Sequence, residues 1–289
     1  MAAASMAVSG PAGGQFLRAL LRRKPVVAGL AVLLLIVALA VFAPMLSPYS
    51  PSKLSLVNRL KPPSPVNLLG TDDFGRDVFT RAAIAGRLSL LVGLSVVAVS
   101  CLLGVTLGLL AGFFRRLDAP LARLIDAMMA FPDILLAISL VAALGPSVVN
   151  VVIALGIVYA PRLARVVRAS TLVIRELPYV EAARALGVST PRILVRHVLR
   201  NLLSPILVQG TFIFASAMLA EAGLSFLGVG VSPSVPTWGT MIAQGRQYLD
   251  QAPWILFFPG LAIVLAVLSL QLVGDGLRDL LDPRLAKDI

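Results

Sequence analysis

From Val26 to Leu46 the chain runs twenty-one residues without one charged side chain. As an α-helix that length is about 30 Å, the thickness of a bilayer's hydrocarbon core. Backbone polar groups in hydrocarbon must be satisfied within the segment, so an apolar run of this kind can be little else than a spanning helix. Five further runs follow, about Leu88–Phe114, Ile125–Leu144, Val148–Ala164, Pro205–Gly223 and Pro253–Val273. The expected fold is therefore all-α and polytopic, with six transmembrane helices. Runs three and four are separated only by Gly145, Pro146 and Ser147, a tight turn that makes them an antiparallel pair. Arg22, Arg23 and Lys24 precede the first run, and Ala38–Ala40 resembles a signal cleavage site. The run is longer than the apolar core of a secretory signal, so it reads as an uncleaved span.

Composition supports a membrane solvent. Hydrophobic residues are 58% of the chain and charged residues 13%, against about 25% charged in soluble domains. The net charge is +11, which in a soluble protein would suggest nucleic acid. Here the basic residues lie between apolar runs, and no soluble fold offers a basic face, so nucleic acid is not an expected partner. With the N-terminus inside, 18 Lys and Arg fall in cytoplasmic segments and 7 in outer ones. That excess places both termini in the cytoplasm. The lone Cys101 sits in an apolar run and reads as a small hydrophobe.

Between the first two runs, Pro48, Pro51, Pro62, Pro63 and Pro65 mark an extended external segment rather than a folded domain. A second outer segment, Leu224–Ala252, carries Trp238 and Tyr248, which suit the membrane interface. Run two contains Gly104, Gly108 and Gly112. Residues four apart share a helix face, and glycine lets a second helix approach closely, though the pattern does not say which.

The longest interruption of the apolar pattern is Pro178–Pro205, PYVEAARALGVSTPRILVRHVLRNLLSP. Pro178 suits a first helical turn and Glu181 its positive end. Gly187 is a C-terminal stop, and Thr190–Pro191 restarts a helix. A small-residue knob for a partner and an amphipathic helix on anionic lipid are equally compatible with this pattern.

EAARALG, Glu181–Gly187, followed by His197 and Pro205, resembles the EAA loop of ABC-importer permease subunits. LLGTDDFGRDVFTR from Leu68, AEAGLSFLGVGVSPSVPTWGTMI from Ala220 and GDGLRDLLDPRL from Gly274 are similar, in the same order, to segments of the C-type subunit of peptide importers. That group includes nickel and glutathione importers. The resemblance implies a type I permease fold in a bacterial inner membrane. It divides the chain into residues 1–46, a cytoplasmic N-terminus and first span; 47–86, an external loop; and 87–289, a five-helix core with a cytoplasmic coupling loop at 165–204.

The implied partners are a second permease subunit, a cytoplasmic P-loop ATPase and an external substrate-binding protein. Glu181, Ala182, Ala183 and Gly187 would dock on the ATPase. Asp72, Asp73, Arg76, Asp77 and Trp238 would meet the binding protein. Glu221, an acid near the outer end of run five, is a candidate for the substrate pathway, a gate or a subunit contact. Asp126 and Asp133 are expected to flank the inner interface and bind nothing.

No Gly precedes any of the four lysines, so no P-loop is present and ATP with Mg²⁺ would be used by the partner. One His and one Cys offer no metal cluster and no HExxH. Gly223–Gly228 resembles a GxSxG elbow with one residue too many, and the spans would put His197 and Ser225 on opposite faces. The expectation is a non-catalytic subunit; the competing class is a channel or scaffold uncoupled from ATP.

Overall fold

A computed structural model describes residues 18–47, 49 and 54–281. Residues 1–17, Lys53, Arg284, Lys287, part of the proline-rich stretch and the end of GDGLRDLLDPRL lie outside the described residues. Among the described residues the regular structure is helical, apart from a single antiparallel bridge between Thr71 and Asp77.

Helix α1 is Lys24–Leu46, and its side chains Leu34, Leu35 and Phe42 are exposed, as lipid contact requires. Helix α2 is Val78–Phe113, begun by the Asp77 carboxylate, which accepts from the Thr80 amide at 2.8 Å. It starts inside the expected 47–86 loop, because this cap and the bridge at Thr71 fix its first turn well before the apolar run begins.

The third run is not one helix from Ile125 to Leu144. It is α3, Arg115–Met129, and α4, Asp133–Leu144, meeting at 90°. Pro132 removes a donor and turns Phe131 away from helical geometry. Among the described residues five helices are long and apolar enough to cross a membrane, six if the bent pair counts as one span. After the turn at Gly145, Ser147 caps α5, Val148–Ile174, accepting from the Asn150 amide at 3.1 Å.

Helix α6 is Pro178–Ala185. Then α7, Thr190–Ile193, a π-helical turn, Leu194–Leu199, and α8, Arg200–Phe226, run on as one rod. Run five therefore has no helix start at Pro205; that proline lies inside α8. Helix α9 is Trp238–Gly245 and α10 is Trp254–Leu281.

The glycine stripe of α2 meets α5. A Cβ on Gly104 would stand 2.7 Å from the Ala160 carbonyl oxygen, and one on Gly112 would stand 2.6 Å from the Thr171 Cβ. From the other side, Gly156 of α5 receives Val99 of α2, and Ser100 donates to the Gly156 carbonyl at 3.1 Å. One apolar cluster joins α2, α4, α5, α6 and α8; a second joins α1, α2, α8, α9 and α10.

Candidate coupling site, outer network and membrane ion pair

Helix α6 stands on the end of the first cluster. Val180 and Ala183 are buried against it, along with Ile193 and Val198. Glu181, Ala182, Arg184, Ala185, Leu186 and Gly187 face outward. Ala183 is therefore corrected from a docking residue to the inward face of the knob: positions 180 and 183 lie one turn apart on one stripe.

The knob ends in a complete Schellman turn. Gly187, at φ +75°, donates to the Arg184 carbonyl at 2.9 Å, and Val188 donates to the Ala183 carbonyl at 3.0 Å. Leu186, 83% exposed, is left at the tip. Sequence reasoning missed it, since the docking residues came only from the matched Glu, Ala, Ala and Gly of the EAA loop; the turn at Gly187 leaves it exposed.

The knob is fastened to its neighbours. Arg184 lies over the Phe113 ring at 4.9 Å, and Arg175 donates to the Gly112 carbonyl at 2.8 Å, so both reach the inner end of α2. Asn201 donates to the Tyr179 hydroxyl at 3.3 Å and to the His197 carbonyl at 2.5 Å. The rings of Tyr179 and His197 are 6.0 Å apart. Burial pushes the Tyr179 phenol upward, keeping it a neutral donor and acceptor. His197 is thus part of the joint between α6 and the α8 rod. Along that rod, Ser225 is about 40 Å away at 1.5 Å per residue, which excludes a shared catalytic centre.

At the other end, residues 54–77 are ordered by their own polar groups instead of being extended. Asp72 accepts from the amides of Phe74 and Arg76 at 2.9 and 2.8 Å and from the Arg76 guanidinium at 2.6 Å. Asp77 caps α2 and accepts from Asn67 at 2.9 Å. Trp238 donates its amide to Ser89 at 3.0 Å and its indole N–H to the Ala82 carbonyl at 2.8 Å.

All three are buried, so Asp72, Asp77 and Trp238 are corrected from partner contacts to internal supports. Asp73 and Arg76 are partly covered, 3.6 Å apart. Burial, with the Asp72 charge beside it, raises the Asp73 carboxyl above its ordinary value. Leu54, Leu56, Val57, Val66, Leu68 and Phe74 are exposed apolar side chains of this surface.

Glu221 is buried near the end of α8. Its Oε1 accepts from the hydroxyls of Ser225 and Thr237, both at 2.9 Å. Thr237 also caps α9, receiving the Thr240 amide at 3.0 Å. One carboxylate thereby joins α8 to the outer helix.

Asp126 and Asp133, expected to bind nothing, are both paired. Asp118, Asp126 and Asp133 meet Arg168, Arg165 and Arg162 of α5, the first two at 2.6 and 2.7 Å. The three arginines are one turn apart on one face, and the 90° bend brings the acids to them. No run of sequence signals this, because the partners are some thirty to fifty residues apart. Among the described residues no group of His, Cys, Asp and Glu could hold a metal.

Residues 104–287 match the family model described as "Binding-protein-dependent transport system inner membrane component", and 12–63 match "N-terminal TM domain of oligopeptide transport permease C". A Brucella suis biovar 1 protein bearing a peptide transport system permease name is 51% identical over 93% of this chain and 90% of its own length. The di/tripeptide transport system permease protein DppC of Pseudomonas aeruginosa is 46% identical, over 94% and 92%. The glutathione transport system permease protein GsiD of Pectobacterium atrosepticum is 42% identical, over 94% and 91%. Among solved structures, an inward-facing MetNI methionine ABC transporter chain aligns at TM-score 0.54 with 18% identity, covering 68% of this chain and 94% of its own; it shares the fold.

Proposed function

This chain belongs to the family of binding-protein-dependent transport system inner membrane components, and from that premise we propose that it is a C-type permease subunit importing di- or oligopeptides. It forms half of the translocation pathway in the bacterial inner membrane, beside a second permease subunit. Both termini face the cytoplasm, in keeping with the Lys and Arg excess. The names of the relatives at 51% and 46% identity support peptides as substrate.

The observation that carries the coupled mechanism is the exposed α6 knob. Its outward face, Glu181, Ala182, Leu186 and Gly187, fits a groove on a separate P-loop ATPase. Its inward face is packed into the helical core. A rigid element fixed to the core on one side and free on the other transmits displacement. When ATP closes the partner ATPase, α6 moves, and the joint at Tyr179, Asn201 and His197 passes the motion to α8. The spans then alternate between inward- and outward-facing states. This chain supplies no catalytic group; ATP and Mg²⁺ are used by the partner.

Outside, an extracytoplasmic binding protein delivers the peptide to the surface carrying Leu56, Val57, Val66 and Leu68. Glu221, by tying α8 to α9, sets the outer gate.

Reconstitution of this chain with the second permease, the ATPase and the binding protein tests the reading. ATP hydrolysis is expected only with the ATPase present, rising when peptide-loaded binding protein is added. Peptide flux without ATP, or hydrolysis indifferent to the binding protein, would favour the channel or scaffold class.

A further inference from the structure

Of the three rungs, the Asp133–Arg162 pair lies nearest the Gly145 turn. Asp133 opens the twelve-residue α4 that ends at the Gly145 turn, and Arg162 lies a comparable distance into α5. At 1.5 Å per residue both are about 20 Å from that turn, within a hydrocarbon layer of about 30 Å. Yet the side chains keep 34% and 46% of their surface uncovered by the chain. Charges at such depth face a bundle interior or a water-filled cavity, not lipid.

A cavity of about 330 Å³ adjoins the pair, walled by Asp133, Leu155, Tyr159, Ser216 and Leu219. It lies where α4, α5 and α8 converge. Tyr159 donates to the Ser216 carbonyl at 3.3 Å and lies under the Arg162 guanidinium at 5.8 Å, holding the arginine beside the cavity. The wall is thus mostly apolar, with Asp133, Tyr159 and Ser216 as its polar residues, the mixture found in small-molecule sites.

We propose that this cavity is a transit site on the translocation path for zwitterionic peptides, with Asp133 receiving the α-ammonium group and Arg162 the carboxylate. The inference rests on the importer reading above. A dipeptide carries one charge of each sign, so it exchanges partners with the ion pair without stranding net charge in a low dielectric. An uncharged solute gives nothing in return for breaking the pair. Leu155 and Leu219 meet the side chains, for which an apolar wall is tolerant.

The test uses the complete complex in proteoliposomes, with binding protein saturated with alanyl-alanine. Asp133→Asn and Arg162→Gln are each expected to lower uptake at least tenfold. Asp126→Asn, one rung down, stays within twofold of wild type. The swap Asp133→Arg with Arg162→Asp keeps the pair but reverses its polarity, and uptake is expected to stay low.

Recovery by the swap makes the pair a structural brace and overturns the site. Unchanged uptake in Asp133→Asn, or an equal loss in Asp126→Asn, overturns it as well. If the Asp133 variants fail to co-purify with the second permease, the pair is a subunit contact and the site is wrong. Ser216→Leu, which fills the cavity, is an independent probe: normal uptake through it refutes the proposal. A wild-type complex that moves no dipeptide instead overturns the importer reading, and this site with it.

Discussion

Gly108 lies so close to α5 that a Cβ on it would stand 2.6 Å from the Ala164 carbonyl oxygen and from the Val167 Cβ. Neither atom is the free end of a flexible chain. Gly108→Val must push the helices apart along their most intimate contact, at a cost of about 2–3 kcal/mol. Thermal unfolding in detergent is expected several degrees lower. Gly210→Ala is the control, since its Cβ would meet only Val97 at 3.6 Å. If Gly108→Val unfolds with the wild type, the two helices do not pack this closely.

Gly187 presents the opposite case. Nothing lies within 4 Å of an added Cβ, but its φ is +75°. A β-branched side chain is strained in that region by about 1–2 kcal/mol, while asparagine tolerates it. Gly187→Val should open the Schellman turn, move Leu186 and sever peptide uptake from ATP hydrolysis. Gly187→Asn should keep most of the coupling. Equal transport by wild type and Gly187→Val in the whole complex refutes this.

The apolar runs made the helical class legible, and α1 covers the whole of the run Val26–Leu46. The glycine stripe was legible as a contact, but its partner was not: α5 presents Gly156, Ala160 and Ala164, also four apart, and small residues at that spacing are too common in membrane helices to name a pair. The third run misled for a physical reason. Ile125, Met128 and Met129 count as apolar whether they cross a membrane or cover one face of α3, and hydropathy does not see the bend at Pro132. The Asp–Arg rungs and the burial of Asp72 and Trp238 arise only from folding. A charged or aromatic residue in an outer loop looks the same in sequence whether it meets a partner or holds up its own chain.

On the knob, Leu186 and Glu181 should separate two contributions to docking. An exposed leucine at the tip of a rigid element suits an apolar socket, and Leu186→Asp is expected to weaken ATPase association about tenfold or more. Glu181→Lys reverses a charge in the first turn and should weaken docking through electrostatics, with a loss that changes with salt. Co-purification in low and high salt distinguishes them. Association unchanged in both variants would favour a lipid-facing role for α6.

Asp73 gives a pH-dependent prediction. Burial and the neighbouring Asp72 charge raise its carboxyl in the folded state. A raised acid favours the fold when protonated, so its contribution is present below the unfolded value of 3.8 and is lost as pH rises through the folded value. Asp73→Asn should therefore stabilise the outer network at pH 7, with the advantage disappearing toward pH 4. A melting curve at each pH checks the sign; a variant less stable at pH 7 would mean that the ion pair with Arg76 outweighs desolvation.

Glu221 has two hydroxyl donors on one carboxylate oxygen and no cation among the partners in its network. Glu221→Leu would leave the hydroxyls of Ser225 and Thr237 without that acceptor in a buried site, at a cost of about 1–3 kcal/mol. Glu221→Gln keeps an oxygen and should lose less. The effect should be local. Thr237 begins α9, and Ser225 forms the turn before Gly228, so loosening Glu221 frees the segment between them. Cleavage of the Ser232–Pro236 stretch by added protease should quicken in Glu221→Leu while the melting of the α2–α5 core stays in place. If instead the whole chain unfolds earlier with no selective cleavage, Glu221 supports the bundle generally. A gate needs the first outcome, because an outer element that moves must be fastened at a point that can be released without loosening the spans beneath it.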